Sequence, residues 1–238
     1  MLTHEEFIYR LRSLPQTFIS THRSGPTGIG KTLEDLLGIA ENNIQGPDTA
    51  ETELKAGRKN SGSMLTLFTK SPLPNRVNTH LLKLYGYDSE DGEKILHCTL
   101  SANCETTLRG EPGLKLGIVR ENGLNKLCIQ SFDDIVEAYW TEKGLEDAFL
   151  RKYNSGQLYY VKAESRGSGI NEEFYFNEAW FLKGFSYPNF IKLLREGIVK
   201  IDIRIGQYPD GRTHDHGTGF RIHPKDLDRC FEKREKLL

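Results

Sequence analysis

Three segments in the second half of the chain limit most strongly what it can fold into. They read QLYYVKAE, EFYFNEAWFL and IVKIDIRI, at residues 157–164, 173–182 and 198–205. Each is short and rich in β-branched and aromatic residues, which is typical of β-strands packed against a core. Because segments with helical periodicity lie before and between these strands, the sequence predicts a mixed α/β protein with many strands.

Helix signals accompany these strands. Thr3 and Glu6 form a capping box, and Pro15 ends the helix that this box opens. The segment KTLEDLLG places its leucines on one face and has Gly38 as a C-cap. Helices are also predicted over residues 75–85, 131–140, 188–196 and 224–238. Further strands are predicted over residues 50–56, 64–68, 95–100, 115–119 and 126–130.

The length of the chain, 238 residues, suffices for one large domain or two small lobes. The short charged run SEDGEK at residues 89–94 is the best candidate for a boundary between lobes. It predicts an approximate division into residues 1–92 and 93–238.

Composition excludes several classes of protein. No apolar run approaches the ~20 residues that span a bilayer, and the N-terminal residues lack the pattern of a signal peptide. The four cysteines show no C-x-x-C spacing, which argues against a zinc site or a redox pair. We therefore expect a cytoplasmic protein without a membrane partner. The net charge of −1 argues against non-specific coating of nucleic acid but permits a focused DNA cleft.

The segment GPTGIGKT, residues 25–32, matches the phosphate-binding P-loop pattern. A working P-loop follows a buried hydrophobic strand and opens a helix whose N-terminus binds phosphate. The preceding residues, LPQTFISTHRS, are mostly polar, and the predicted helix lasts barely two turns. We favour a glycine-containing loop in which Lys31 occurs by chance, and a P-loop NTPase is the alternative.

The segment PDTAETELKAGRK offers a different chemistry. Asp48 lies at a turn, and the period of two places Glu53 and Lys55 on one face of the following strand. Two carboxylates can hold Mg²⁺, and a nearby lysine can orient water or offset charge on a phosphate. The other interpretation is a solvated edge strand with alternating charges. Glu34, on the helix that enters this region, is a third candidate carboxylate, and the basic KAGRK also supports a catalytic site.

A polar loop, GQYPDGRTHDHGTGFRI at residues 206–222, precedes the last predicted helix. Its arginines could pair with guanine and its aspartate with cytosine, so DNA contact is one interpretation. A metal site formed by two histidines and a merely solvated hairpin are the others. The candidate side chains are Arg212, His214, Asp215, His216 and Arg221.

Four ordered segments, GKTLEDLLGIAENN, PDTAETELKAGRK, LTLFTK and HDHGTGFRI, resemble the landmarks of the MvaI/BcnI type II restriction endonucleases. These enzymes are relatives of the mismatch-repair nickase MutH. The resemblance implies a MutH-like PD-(D/E)XK nuclease fold with a central mixed sheet and two lobes around a DNA cleft. Residues 1–92 would form the catalytic lobe and residues 93–238 the recognition lobe.

The resemblance also implies residue roles. Asp48, Glu53 and Lys55 would be catalytic, and Mg²⁺ would be held by Asp48, Glu53 and Glu34. It implies a monomer that cuts both strands of double-stranded DNA in turn, leaves 5′-phosphates and has a partner methyltransferase in the cell. The implied DNA-binding residues are Arg58, Lys70, Arg212, His214, Asp215, His216 and Arg221.

Family members read short CC-N-GG-like sites with a restricted central pair. The branch that reads a central C or G carries histidines where this chain has Thr69 and Gly219, which favours a central A/T. Three alternatives stay open: a MutH-like repair nickase, a DNA-binding module with an inactive nuclease core, and the P-loop NTPase. The intact set of Asp48, Glu53 and Lys55 argues against the inactive core.

Overall fold

A computed structural model describes residues 2–40, 46–121, 123–215 and 217–238. The described residues form five α-helices and fifteen β-strands. The helices are α1 (His4–Arg12), α2 (Gly28–Leu37), α3 (Val77–Tyr85), α4 (Glu142–Tyr153) and α5 (Tyr187–Arg195). The strands are β1 (Ile19–Ser20), β2 (Glu53–Arg58), β3 (Leu65–Thr69), β4 (Tyr87–Asp88), β5 (Lys94–Leu100), β6 (Thr106–Leu108), β7 (Glu111–Glu121), β8 (Leu124–Ser131), β9 (Val136–Thr141), β10 (Gln157–Arg166), β11 (Glu173–Lys183), β12 (Lys200–Gln207), β13 (Thr213–Asp215), β14 (Gly219–Ile222) and β15 (Lys233–Lys236). Among these residues, no helix is both long and apolar enough to cross a membrane.

The chain forms two compact units, each assembled from segments that are distant in sequence. The first unit combines Met1–Leu65, Leu150–Ser186 and Pro224–Leu238, and the second combines Thr66–Phe149 and Tyr187–His223. These limits differ from the sequence-based boundary after residue 92, because strands pair across long sequence separations in both units. The assignment of residues 1–92 to catalysis and 93–238 to recognition therefore stays a prediction.

A five-stranded mixed sheet forms the centre of the first unit. Its order is β1-β11-β10-β2, with β15 also paired to β11. Strand β10 runs parallel to β2 and antiparallel to β11, which confirms the prediction of a mixed sheet. One face of the sheet packs against α1 and α2 in a hydrophobic core. The core includes Phe7, Leu11, Leu33, Leu37, Leu54, Tyr159, Val161 and Phe181.

The caps of the two helices agree with the sequence pattern. The side chain of Glu6 accepts a hydrogen bond from the backbone of Thr3 at 2.8 Å, and the Thr3 hydroxyl accepts one from the backbone of Glu6. Gly38 ends α2 in the left-handed conformation with a φ of 66°, which a residue without Cβ adopts easily. The capping box and the glycine C-cap are therefore both confirmed.

The second unit contains two sheets. One is six-stranded in the order β3-β14-β12-β5-β4, with β13 also paired to β12. The other is a four-stranded antiparallel meander, β6-β7-β8-β9. An aromatic core supports this unit, in which Phe68 stacks on Phe220 with 4.8 Å between ring centroids and lies 5.1 Å from Phe190.

The helix predicted over residues 131–140 is wrong. The hydroxyl of Ser131 accepts a hydrogen bond from the backbone of Ile135 at 3.2 Å, so it caps a turn and not a helix. After this turn the chain forms β9, whose pairing with β8 buries Ala138 and Trp140 on alternate positions. Helix α4 begins only after that strand. The segment 131–140 is compatible with either a helix or a strand, and its pairing with β8 decided for the strand.

The terminal helix predicted over residues 224–238 is also wrong. The segment Pro224–Cys230 is a 3₁₀ helix, and β15 follows it. Strand β15 pairs with β11 and places the guanidinium of Arg234 over the ring of Trp180, 3.5 Å from its centroid. An available edge of β11 thus outweighed the helical pattern of the isolated segment.

An ionic cluster lies at the centre of the six-stranded sheet. Asp202 on β12 is 3% exposed and accepts hydrogen bonds from the Thr99 hydroxyl at 2.9 Å, Arg204 Nε at 2.9 Å and Arg221 Nη1 at 2.5 Å. Burial raises the pKa of Asp202, but these hydrogen bonds and the charge of Arg204 outweigh it, so the pKa lies below its ordinary value. The carboxylate therefore stabilises the folded state in its charged form.

We expect Asp202→Asn to lower the free energy of unfolding by about 1–3 kcal/mol at pH 7, because it weakens charge-assisted hydrogen bonds to a buried group. The depressed folded-state pKa means that this stabilisation exists above the unfolded pKa and is lost as pH falls through the folded pKa. The difference from the parent should therefore shrink below about pH 4. Urea unfolding at pH 7 and pH 3 measures it. Asp147→Asn, at an exposed residue of α4, is the control, and equal midpoints for parent and Asp202→Asn at pH 7 would contradict the assignment.

Candidate active site

Strand β2 brings Glu53 and Lys55 to one face of the first unit's sheet. Lys55 Nζ donates a hydrogen bond to Glu53 Oε1 at 2.5 Å, as expected for residues two apart on a strand. The strand lies beside β10, in register with it from Glu53 to Arg58. Glu53 is completely buried, whereas the side chain of Lys55 is 25% exposed. The interpretation of this strand as a solvated edge with alternating charges is therefore wrong for Glu53.

Asp48 is fixed in the loop that precedes β2. Its Oδ2 atom accepts a hydrogen bond from the backbone nitrogen of Leu54 at 2.9 Å. The Thr49 hydroxyl donates to the carbonyl of Thr52 at 2.9 Å and accepts from the backbone nitrogen of Thr52 at 3.1 Å. These bonds hold the turn, so that the second carboxylate is placed beside the strand that carries the first.

Lys152 is a third charged neighbour of Glu53, besides Asp48 and Lys55, and the sequence patterns did not identify it. Its Nζ lies 3.2 Å from Glu53 Oε2 and 4.0 Å from Asp48 Oδ1, and it donates to the carbonyl of Gly46 at 2.8 Å. The residue belongs to the last turn of α4, where basic residues are common whatever their function. No local signal marked this lysine, because only the fold brings α4 to the loop before β2.

The pKa values of Glu53 and Lys55 are both raised, for different reasons. Burial is the main reason that the pKa of Glu53 is raised, and the charge of Asp48 adds to it, while Lys55 and Lys152 partly offset it. Burial lowers the pKa of Lys55, but the charges of Glu53, Asp48 and Glu34 outweigh it, and the net pKa is raised. Lys55 is therefore a cation at neutral pH and not a proton acceptor.

The donor set fits a divalent cation. Glu53 Oε2 is buried and makes no hydrogen bond within the described residues, although Lys152 lies nearby. Together with Asp48 it offers the hard oxygen ligands that Mg²⁺ prefers. The described residues contain no group of three or more His, Cys, Asp or Glu side chains arranged to hold a metal. Glu34 is close enough to Lys55 to affect its pKa, and its role as a third ligand stays a prediction.

Arg58, in the basic segment KAGRK, is engaged within the first unit. Its Nε and Nη2 atoms donate to the two carboxylate oxygens of Glu172 at 2.6 and 2.7 Å. It also donates to the carbonyls of Gly25 and Pro26, both at 3.3 Å. In this structure Arg58 thus braces the loop before α2, and its predicted DNA contact stays a prediction.

The P-loop-like segment lacks the surroundings of a phosphate site. The strand before it, β1, has two residues and pairs antiparallel with β11. Lys31 Nζ forms an ion pair with Asp35 at 2.7 Å, one turn further along α2. The hydroxyl of Thr32 is buried, donates to the carbonyl of Gly28 at 2.8 Å and accepts from the backbone of His22 at 2.9 Å. The threonine hydroxyl is therefore buried and already hydrogen-bonded, and the lysine is paired with a carboxylate of α2.

In the second unit, Asp215 is held by several donors. Its carboxylate accepts hydrogen bonds from the side-chain amide of Asn78 at 2.6 Å, the backbone of Gly217 at 2.8 Å and the hydroxyl of Ser71 at 3.4 Å. The side chain is half-buried. This network gives Asp215 a fixed orientation, which a residue that reads a base edge requires.

The other predicted recognition residues differ in their surroundings. Arg212 pairs with Asp210 at 2.7 Å, and the ring of His214 lies 4.6 Å from that of Tyr208. Arg221 pairs with the buried Asp202, as described above. The backbone of Lys70 bonds to Thr218 and to the indole of Trp140. The prediction for His216 falls outside the described residues.

The two positions that differ from the C/G-reading branch also lie in the second unit. Thr69 is exposed at the end of β3, whereas Gly219 is buried at the start of β14. A Cβ atom at position 219 would lie 3.4 Å from Cγ of Arg221 and 3.6 Å from Cγ2 of Thr66. These are ordinary van der Waals distances, so the start of β14 has room for a Cβ atom at this position.

We expect that the protein does not bind ATP and that Lys31→Ala keeps the DNA cleavage implied by the family resemblance within a few-fold of the parent. The physical reason is that Lys31 is paired with Asp35, that the buried Thr32 hydroxyl is already hydrogen-bonded, and that the strand before the loop has only two residues and is antiparallel to its neighbour. Calorimetric titration with Mg-ATP and a cleavage assay measure the two effects. Micromolar ATP binding that disappears in Lys31→Ala would restore the NTPase interpretation.

Comparison with known proteins agrees with this geometry. Residues 8–231 match the family model of the MvaI/BcnI restriction endonuclease family. No curated protein matches the chain. Among solved structures, a restriction endonuclease MvaI–cognate DNA substrate complex is 31% identical, with 100% of both chains covered and a TM-score of 0.85. Restriction endonuclease MvaI in the absence of DNA is 32% identical, again with 100% of both chains covered, and has a TM-score of 0.57.

The family match extends over most of the chain, and the mixed α/β fold agrees with that of a solved restriction endonuclease over its full length. We conclude that the chain belongs to the MvaI/BcnI restriction endonuclease family and is a type II restriction endonuclease.

Proposed function

We propose that the protein hydrolyses phosphodiester bonds of double-stranded DNA with Mg²⁺ held by Asp48 and Glu53, and that it leaves 5′-phosphates. The observation that carries this proposal is the buried Glu53 carboxylate, which lies beside Asp48 and accepts a hydrogen bond from Lys55 at 2.5 Å. Such a pair of carboxylates with an adjacent lysine belongs to the PD-(D/E)XK nuclease class. The relative in complex with its cognate DNA substrate supports DNA as the substrate.

Each residue has a role that its geometry supports. Asp48 and Glu53 provide the oxygen ligands, and Glu34 is the proposed third carboxylate. When bound, Mg²⁺ supplies Lewis-acid polarisation of the phosphoryl oxygen and activates water. Lys55 stays protonated because Glu53 and Asp48 surround it with negative charge, so its ammonium can stabilise the charge that develops on the phosphate.

The second unit is proposed to read the sequence. His214, Asp215 and Arg221 lie in the segment that corresponds to the family's recognition loop, and the ordered carboxylate of Asp215 is suited to accept from cytosine N4. The proposed site is CC-N-GG-like with a central A/T, because Thr69 and Gly219 replace histidines of the C/G-reading branch. Arg58, Lys70, Arg212 and His216 are proposed to contact DNA as well.

The cellular setting is proposed from the same family. The enzyme would act as a cytoplasmic monomer that cuts one strand and then the other. A methyltransferase of the same specificity would protect the host DNA without forming a stable complex with the enzyme.

Digestion of unmethylated phage DNA with Mg²⁺, followed by sequencing of the ends, tests the proposal directly. Discrete fragments that share one short sequence at their ends, with 5′-phosphates, are expected. Products nicked in one strand only would indicate a MutH-like nickase. Random ends, or cleavage at full rate in excess chelator, would contradict the proposal.

We expect Asp48→Asn, Glu53→Gln and Lys55→Met each to reduce cleavage by at least about a thousandfold, because each removes a ligand or a charge at the reacting phosphate. Specific DNA binding in Ca²⁺ should survive. Glu51→Gln, an exposed carboxylate two residues before Glu53, is the matched control and should cut normally. Cleavage by Asp48→Asn at the parental rate would rule out this active site.

For Arg221→Ala, we expect a loss of specific binding of about 1–3 kcal/mol, roughly 5- to 150-fold, if the guanidinium contacts a guanine edge. Binding to a scrambled duplex should change much less, since phosphate contacts supply that affinity. Titrations in Ca²⁺ with cognate and scrambled duplexes measure both losses.

Arg204→Ala is the matched control for Arg221→Ala, because Arg204 also pairs with Asp202 but has no predicted base contact. It reports how much of the effect comes from disturbing the buried carboxylate. An equal loss on both duplexes would make Arg221 a phosphate contact, and the same loss in both variants would assign the effect to folding.

A further inference from the structure

Lys152 contacts the groups that are proposed to hold the metal, although nothing in the sequence or the family resemblance singled it out. Its ammonium nitrogen is surrounded by three oxygens: the Gly46 carbonyl at 2.8 Å, Glu53 Oε2 at 3.2 Å and Asp48 Oδ1 at 4.0 Å. A divalent cation bound at this position would have the same kind of neighbours, carboxylate and carbonyl oxygens.

The second lysine of the site is placed differently. Lys55 bonds to the other carboxylate oxygen of Glu53, Oε1, at 2.5 Å. Each lysine therefore lies next to a different oxygen of the Glu53 carboxylate, and Lys152 also lies within 4.0 Å of Asp48. Glu53 Oε2, which makes no hydrogen bond within the described residues, is the oxygen that Lys152 faces.

The burial of Glu53 explains why a counter-ion is needed there. A completely buried carboxylate next to a second carboxylate is costly unless cations balance the charge. Lys152 has 25% of its side chain exposed, and it follows Arg151 in the last turn of α4. It is thus close enough to solvent to leave the carboxylates without unfolding the helix.

We propose that Lys152 is an internal counter-ion that holds Asp48 and Glu53 together in the metal-free enzyme and leaves them when a divalent cation binds. The inference rests on the proposed function, since it concerns the same two carboxylates. An ammonium and a divalent cation so close together would repel each other strongly at the dielectric of a protein interior. The lysine therefore lowers the affinity for metal, and its release makes an ammonium available at the edge of the site.

The competition between Lys152 and a divalent cation is tested by titrating the DNA-free protein with Mn²⁺. The electron paramagnetic resonance signal of free Mn²⁺ measures how much is bound. Lys152→Met removes the charge at nearly constant length and should tighten Mn²⁺ binding by about tenfold or more. Lys152→Arg keeps the charge and should bind Mn²⁺ no more tightly than the parent. Lys143→Met, at an exposed lysine at the other end of α4, should match the parent.

A second measurement uses the parent protein, so it does not depend on whether a variant folds. The Lys152 amine is acetylated with a limiting reagent and quantified by mass spectrometry, with and without saturating Ca²⁺. Its reactivity should rise severalfold in Ca²⁺ relative to Lys143 in the same sample. An unchanged ratio would show that the lysine stays on the carboxylates, and it would overturn the inference.

The outcomes also separate this inference from the proposed function. One outcome would overturn the role of Lys152 alone. In it, the parent binds Mn²⁺ more tightly than Asp48→Asn does, but Lys152→Met binds Mn²⁺ no more tightly than the parent. Parent protein that binds no Mn²⁺, or binds it equally in Asp48→Asn, would overturn both the metal site and the counter-ion.

Discussion

The burial of one carboxylate, Glu53, is the constraint on which the first unit depends. The residue lies on β2 beside the parallel strand β10, and the opposite face of the sheet is covered by α1 and α2. Removing the carboxylate from water requires positive partners, and Lys55 and Lys152 supply them from a strand and from a helix. The charge balance of the site therefore ties together elements that are distant in sequence.

The second unit is built on a similar arrangement. Asp202 is buried on the central strand β12 and is bonded to Thr99, Arg204 and Arg221. The arginine that the family resemblance assigns to base recognition is thus oriented by a buried acid, as Asp215 is oriented by Asn78. In both units a polar side chain with a functional assignment is fixed by further hydrogen bonds, which restricts its rotamers.

The two lysine-containing segments show how context decides between patterns. GPTGIGKT matches a well-known motif completely, yet its lysine is paired with Asp35 and its threonine hydroxyl is buried and hydrogen-bonded. The triplet of Asp48, Glu53 and Lys55 is common by chance in sequences, yet the fold brings Asp48 and Lys55 to the buried carboxylate of Glu53. Local spacing alone did not show which of the two motifs is functional. The polar residues before the loop and the ordered set of family landmarks gave the basis for choosing the triplet.

The sequence by itself determined the mixed α/β class, the caps of α1 and α2, and the common face of Glu53 and Lys55, because these depend on periodicity and on neighbours within a few residues. Only the tertiary structure decided that the segments at 131–140 and 233–236 contribute strands, since their pairing partners β8 and β11 must first be in place. It also decided the position of Lys152 beside Asp48 and Glu53. A side chain that reaches a site from another element leaves no periodic trace in the sequence, because its role arises from the packing of the whole unit.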